Sequence, residues 1–131
     1  GRGTIPTRAH VSDAGLDLYS PENIILLCDA VHVVDTMIRV EIPTGYFGLI
    51  LPRSSTSGRG VHVYTGVIDS GYRGTLKIQM SNILNHPVKG FKKGERIAQL
   101  VILPYLSAVP FDAQITTVTD RGNGGLGSTG R

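Results

Sequence analysis

Thr75-Leu-Lys-Ile-Gln-Met80 is a strand by its periodicity: Leu76, Ile78 and Met80 alternate with Thr75, Lys77 and Gln79, so an extended chain collects the apolar side chains on one face. A helix would scatter them around its surface. Working outward, the same signal recurs at Leu16–Tyr19, Ile24–Cys28, Val31–Val34, Met37–Ile42, Gly45–Leu51, Val61–Tyr64 and Ile97–Leu103, each closed by Gly, Pro, Asn or Asp. No helical period is sustained beyond one or two turns. The single helix candidate is Ser54–Ser57 after Pro52, where hydroxyls would cap a short turn. Many short strands between Gly/Pro turns predict an all-β fold, a sandwich or jelly-roll-like β barrel.

The composition narrows the function. A chain of 131 residues with 40% apolar residues is one globular domain able to bury a core unaided. A net charge of +3 suits an anionic ligand, but charged residues are only 18% and basic residues never run beyond two in a row. Phosphate on a small molecule is matched without invoking nucleic acid. Cys28, the single cysteine, excludes an internal disulfide and fits a reducing compartment. Its apolar run predicts a buried small hydrophobe. No stretch reaches membrane-spanning length, so the expectation is a soluble, intracellular protein without a membrane partner.

Five segments carry polar chemistry. Arg121 to Gly130 holds five glycines around an Arg at one end and a Ser-Thr pair near the other, a composition that fits either a phosphate clamp or a frayed tail. Asp69-Ser-Gly-Tyr-Arg-Gly74 lies between the runs Val61–Ile68 and Thr75–Met80, placing Ser70-Gly71 at a hairpin-like turn. The turn lets Asp69 and Tyr72 face one pocket, as a general base beside an aromatic wall. The alternative is an Asp bonded to its own turn, with Tyr72 in the core. Pro52-Arg-Ser-Ser-Thr-Ser-Gly58 fits an anion site or an ordinary helix cap. Asp13-Ala-Gly-Leu-Asp17 reads as an Asx turn entering a strand. In Gly94 to Leu100 a polar Gln99 interrupts an apolar run and needs partners if buried.

In this order the five segments resemble the five motifs of the trimeric dUTP pyrophosphatase (dUTPase) family, from Asp13 to Gly130. The strongest matches are Pro52-Arg-Ser-Ser55, Gly66-Val-Ile-Asp-Ser-Gly-Tyr-Arg-Gly74, Gly94 to Leu100, and Arg121 to Gly130. The resemblance implies a jelly-roll barrel over residues 1–120 and a Gly-rich tail over 121–131. It also implies a homotrimer whose sites are shared, one chain's tail closing over nucleotide held by the other two. The implied reaction is Mg²⁺-dependent hydrolysis of dUTP to dUMP and pyrophosphate.

Carried over, Asp69 would activate water for attack on the α-phosphorus and Tyr72 would exclude a 2′-hydroxyl. Gly66, Val67 and Ile68 would bond the uracil edge, and Lys77 would contact substrate. Ser54, Ser55 and Gln99 would hold the α- and β-phosphates, with Arg53 paired to Asp17. Arg121, Ser128 and Thr129 would grip the γ-phosphate, with Leu126 and Gly127 beside them in the tail. Mg²⁺ would ride on the phosphates and waters, with Asp17 behind its water shell and no direct protein ligand.

Three positions depart from the family pattern. Leu126 replaces a usual Phe, Thr75 a common Glu, and Val63 an Asn found near the base in many relatives; the last two read as tuning. Two rival readings are a dCTP deaminase, which needs a Glu where Gln79 stands, and a dUTPase-like binding module without turnover.

Overall fold

Leu76, Ile78 and Met80 are all at 0% exposure, so the alternation read from the sequence is the one the fold uses. The computed structural model describes residues 2–84 and 89–127. In chain order the elements are β1 (Gly15–Tyr19), β2 (Ile24–Leu26), β3 (Val31–Asp35), β4 (Tyr46–Leu51), α1 (Ser54–Gly58), β5 (Val61–Val63), β6 (Gly66–Ile68), β7 (Lys77–Asn82), β8 (Lys89–Phe91) and β9 (Arg96–Pro104). They form a four-stranded sheet in the order β1-β9-β4-β6, a three-stranded sheet β3-β7-β5 and a pair β2-β8. Every ladder is antiparallel. This crossed-over order is an all-β, jelly-roll-like architecture.

The core is built from the inward face of each sheet. Ile50 of β4 and Ile97, Ala98 and Leu100 of β9 join Leu18, Val34, Val61, Val63, Ile78 and Met80 in one buried cluster. Each fully buried Leu, Ile or Met contributes about 1.5–3 kcal/mol relative to exposure, and the cluster draws on the strands of all three sheets. Its removal from water therefore fixes how the site-bearing edges meet.

Four expectations need correction. Met37–Ile42 forms no strand, although Ile38 and Val40 are half-buried and Ile42 buried between exposed neighbours. The cause is local: the Asp35 carboxylate accepts the Met37 N–H at 2.9 Å, Met37 turns to φ +62°, and the regular β3–β7 ladder is interrupted there, Leu76 still bonding across to Thr36 and Ile38. The run Val61–Ile68 is two strands in different sheets, β5 on β7 and β6 on β4. The Asp69 turn is therefore a link between sheets and not a hairpin. At α1 the N-cap position is Arg53, with no side-chain capping bond, so the hydroxyls do not cap the helix. Cys28 is half-buried, outside β2, in an isolated bridge to Asn82, because β2 ends at Leu26.

After Pro104 the described chain makes no strand or helix through residue 127. Leu106, Val109, Phe111, Ile115 and Val118 along it are 82–93% exposed. Among the described residues no helix is long and apolar enough to cross a membrane.

Candidate active site

A cavity of about 500 Å³ opens between the two larger sheets where the chain crosses from β5 to β6. Tyr64 and Thr65 form the crossing, Gly66, Val67 and Ile68 the β6 wall, and Asp69 and Tyr72 the turn. Lys77 and Gln79, on the solvent face of β7, complete it with Val33, Ile50 and Thr75. The turn closes through the Tyr72 N–H donating to the Asp69 carbonyl at 3.1 Å. Its geometry brings the carboxylate and the ring into one cavity, while Ser70 takes the Arg73 guanidinium on its carbonyl at 2.7 Å. Tyr72 is held at its hydroxyl end: the hydroxyl donates to the Thr75 carbonyl at 2.8 Å, and the same end of the ring lies where a Cβ on Gly74 would stand. Only glycine at 74 lets the ring approach its own backbone this closely.

β6 is an edge strand, paired to β4 on one side only. The backbone donors and acceptors on its other edge face outward, ready to pair with a ligand of matching pattern.

A second cluster assembles around Asp17. On β1, Asp17 opposes Gln99 of β9. Its Oδ1 accepts from Arg53 Nε at 3.1 Å, and its Oδ2 faces Arg96 Nε at 3.6 Å. Arg53 also donates through Nη1 to Ser55 Oγ at 3.0 Å and to the Arg96 carbonyl at 3.4 Å. Gln99 finds the partner a half-buried amide requires, donating to the Pro52 carbonyl at 2.9 Å. Ser54 and Ser55 stay exposed at the start of α1. Tyr19 extends the cluster: hydrogen bonds from Thr7 and then Arg96 lower its phenol pKa, and the same contact raises that of Arg96.

These two clusters do not meet. Asp69 follows Ile68, which pairs with Gly48 on one side of β4, whereas Gln99 pairs with Leu51 on its other side. Two strand spacings and several residues along β4 put them more than about 10 Å apart.

The tail is a third, separate piece. Arg121 Nε donates to the Gly124 carbonyl at 2.6 Å, Gly127 takes φ +76° and Leu126 is fully exposed. Ser128 and Thr129 lie outside the described residues.

Sequence reasoning missed Tyr64 and Thr65, which flank the motif without belonging to it, and Arg96, whose motif read as structural. The ion-pair potential of an Arg three residues before Gln99 was the available signal. Val63, read as standing near the base, is 1% exposed and turned into the core.

Among the described residues no three His, Cys, Asp or Glu side chains come together as a metal cage. Both Asp17 oxygens already face guanidinium groups. The donor set fits a cation carried by a substrate's own phosphates and waters.

The dUTPase family model matches residues 2–130. The deoxyuridine 5′-triphosphate nucleotidohydrolase of Mycobacterium marinum is 40% identical, covering 96% of this chain and 87% of that protein. Its namesake from Debaryomyces hansenii is 39% identical over 98% and 81%. A solved mutant dUTPase of Staphylococcus bacteriophage 80alpha with dUpNHpp superposes with a TM-score of 0.88 at 32% identity, covering 98% of this chain and 93% of that one. A mutant dUTPase from phage phi11 of S. aureus, solved for the coordination of a structural Mg(II) ion, superposes with a TM-score of 0.74 at 30% identity, covering 88% and 91%.

Proposed function

The chain belongs to the dUTPase family and hydrolyses dUTP, and we propose that Asp69 activates the attacking water in a site completed by two further copies of the chain. The observation that carries this is the division within one chain. The cavity holds Asp69 and Tyr72, while the Arg53–Asp17–Gln99 cluster and the exposed tail lie elsewhere. A homotrimer brings a cavity, a phosphate-binding cluster and a tail from different chains onto one nucleotide.

In this reading the free edge of β6 pairs with uracil, the backbone at Gly66, Val67 and Ile68 matching the base's donor and acceptors and leaving no room for a 5-methyl group. Tyr72 packs against the deoxyribose, and a 2′-hydroxyl would meet its ring. Lys77 reaches the substrate from β7. Asp69 takes a proton from water as the water's oxygen bonds to the α-phosphorus and the bond to the departing pyrophosphate breaks in line, giving dUMP. Ser54, Ser55 and Gln99 of a second chain donate to the α- and β-phosphates, with Arg53 fixed by Asp17 and Ser55. Arg121, Ser128 and Thr129 of a third chain hold the γ-phosphate, while Leu126 and Gly127 cover the base. Fixed donors aimed at developing charge need no reorganisation as the bond breaks.

Mg²⁺ fits this donor set. Held by the triphosphate and water, with Asp17 reached through water, it would neutralise charge on the leaving pyrophosphate. A nucleotide pool lies inside the cell, and the reading places the enzyme there.

The test is pyrophosphate release from dUTP with Mg²⁺, with dCTP and Asp69→Asn as controls. The reading expects turnover of dUTP alone, abolished in the variant. Release that survives Asp69→Asn would overturn it. Deamination of dCTP would need Gln79, which lines the cavity, to shuttle a proton, and an amide cannot.

A further inference from the structure

We propose that Asp35 is a positioning residue for discrimination against ribonucleotides: through Thr75 it fixes the hydroxyl end of Tyr72. The proposal rests on the reading above in which Tyr72 faces the sugar.

Asp35 ends β3 and opposes Lys77 across the β3–β7 ladder. Each of its carboxylate oxygens accepts one bond. Oδ1 takes the Met37 N–H at 2.9 Å, and Oδ2 takes the Thr75 hydroxyl at 2.9 Å. Thr75 in turn accepts the Tyr72 hydroxyl on its carbonyl at 2.8 Å. A continuous path therefore runs from a strand end, through a charged acceptor and one threonine, to the ring that lines the cavity.

Two features show that Asp35 is more than a surface carboxylate. Met37 holds φ +62°, a conformation costly for a non-glycine residue, and the bond from Asp35 captures the N–H of that same residue. Its carboxyl pKa is lowered, first by the Met37 N–H and further by Thr75, Lys77 and Arg39, so it is a charged, strong acceptor at neutral pH. The carboxylate sits on the neighbouring strand, and the Thr75 hydroxyl is the group that reaches it.

Tyr72 itself is 38% exposed. Its ring is thus not locked by burial, and its placement depends on Gly74 beneath it and the Thr75 carbonyl at its tip. Releasing Thr75 from Asp35 loosens that tip and lets the ring yield to a 2′-hydroxyl.

The experiment compares kcat/KM for dUTP and for UTP in the wild type, Asp35→Ala, Thr75→Val, the double variant, Asp35→Asn and Tyr72→Ala. Preference is a ratio within one preparation, so a change in the folded fraction cancels. Asp35→Ala and Thr75→Val should each narrow the preference for dUTP by about tenfold, the worth of one charge-assisted hydrogen bond. The double variant should narrow it no further than either single, because both break the same path. Asp35→Asn keeps one acceptor oxygen and should fall between. An unchanged preference in Asp35→Ala, or a double variant equal to the product of the singles, overturns the proposal. If Tyr72→Ala narrows the preference while Asp35→Ala does not, only the role of Asp35 fails. If Tyr72→Ala leaves it unchanged, the assignment of Tyr72 to the sugar fails, and the proposal with it.

Discussion

Gly15 lies so close under the Gln99 side chain that a Cβ at position 15 would overlap the Gln99 amide oxygen. The glycine leaves the amide free to donate to the Pro52 carbonyl at the entrance to α1. Gly15→Ala should therefore displace Gln99 and cost about 1–3 kcal/mol of stability. It should also raise KM for dUTP. Thermal melts and steady-state kinetics check both effects together.

Arg53 serves Asp17, Ser55 and the Arg96 carbonyl from one planar group. A lysine keeps the charge but cannot reproduce the fork. Arg53→Lys should lower kcat/KM for dUTP by about tenfold, with a stability loss of no more than about 1 kcal/mol, since the pair is partly exposed. A variant with unchanged kcat/KM would show that the fork is not used.

Asp35 should leave a signature in acid. Its carboxyl is held below the ordinary value of 3.8, chiefly by the Met37 N–H. A group with a lowered folded pKa contributes its full stabilisation above the unfolded value and loses it as pH falls through the folded one. The stability difference between wild type and Asp35→Ala should thus be constant above about pH 5 and shrink below about pH 4. Denaturant melts across that range measure it. A difference that persists unchanged at the acid end contradicts the assignment.

Much of this was readable in the sequence where a local pattern and the tertiary fold agree. Leu76, Ile78 and Met80 alternate and are buried; Asp69 and Tyr72 flank a turn and share a cavity. Met37–Ile42 misled because its alternation is real, with Ile42 buried at its end, but the Asp35 side chain competes for the Met37 N–H and diverts the backbone. The change of sheet at Tyr64-Thr65 left no mark, since β5 and β6 have the same β-branched composition on either side of it. The shared role of Arg96 was hidden because its carboxylate partner lies 79 positions earlier, on β1.

Leu126 is wholly exposed in the single chain, and the proposed reading lays it over the base. An aromatic ring at this position should strengthen binding by about 0.5–1.5 kcal/mol. Titration of Leu126→Phe with a non-hydrolysable dUTP analogue measures this. Equal or weaker affinity would show that Leu126 does not cover the base.

The exposed tail allows a direct test of the shared site, because chains ending at Asp120 lose no buried contact among the described residues. Asp69→Asn chains and chains ending at Asp120 should each be inactive or nearly so alone. Co-refolded in equal amounts, they form mixed trimers in which about a quarter of the sites combine an intact Asp69 with another chain's intact tail. Pyrophosphate release from the mixture should therefore recover to about a quarter of the wild-type rate. A mixture no more active than its two parents would mean that each chain completes its own site.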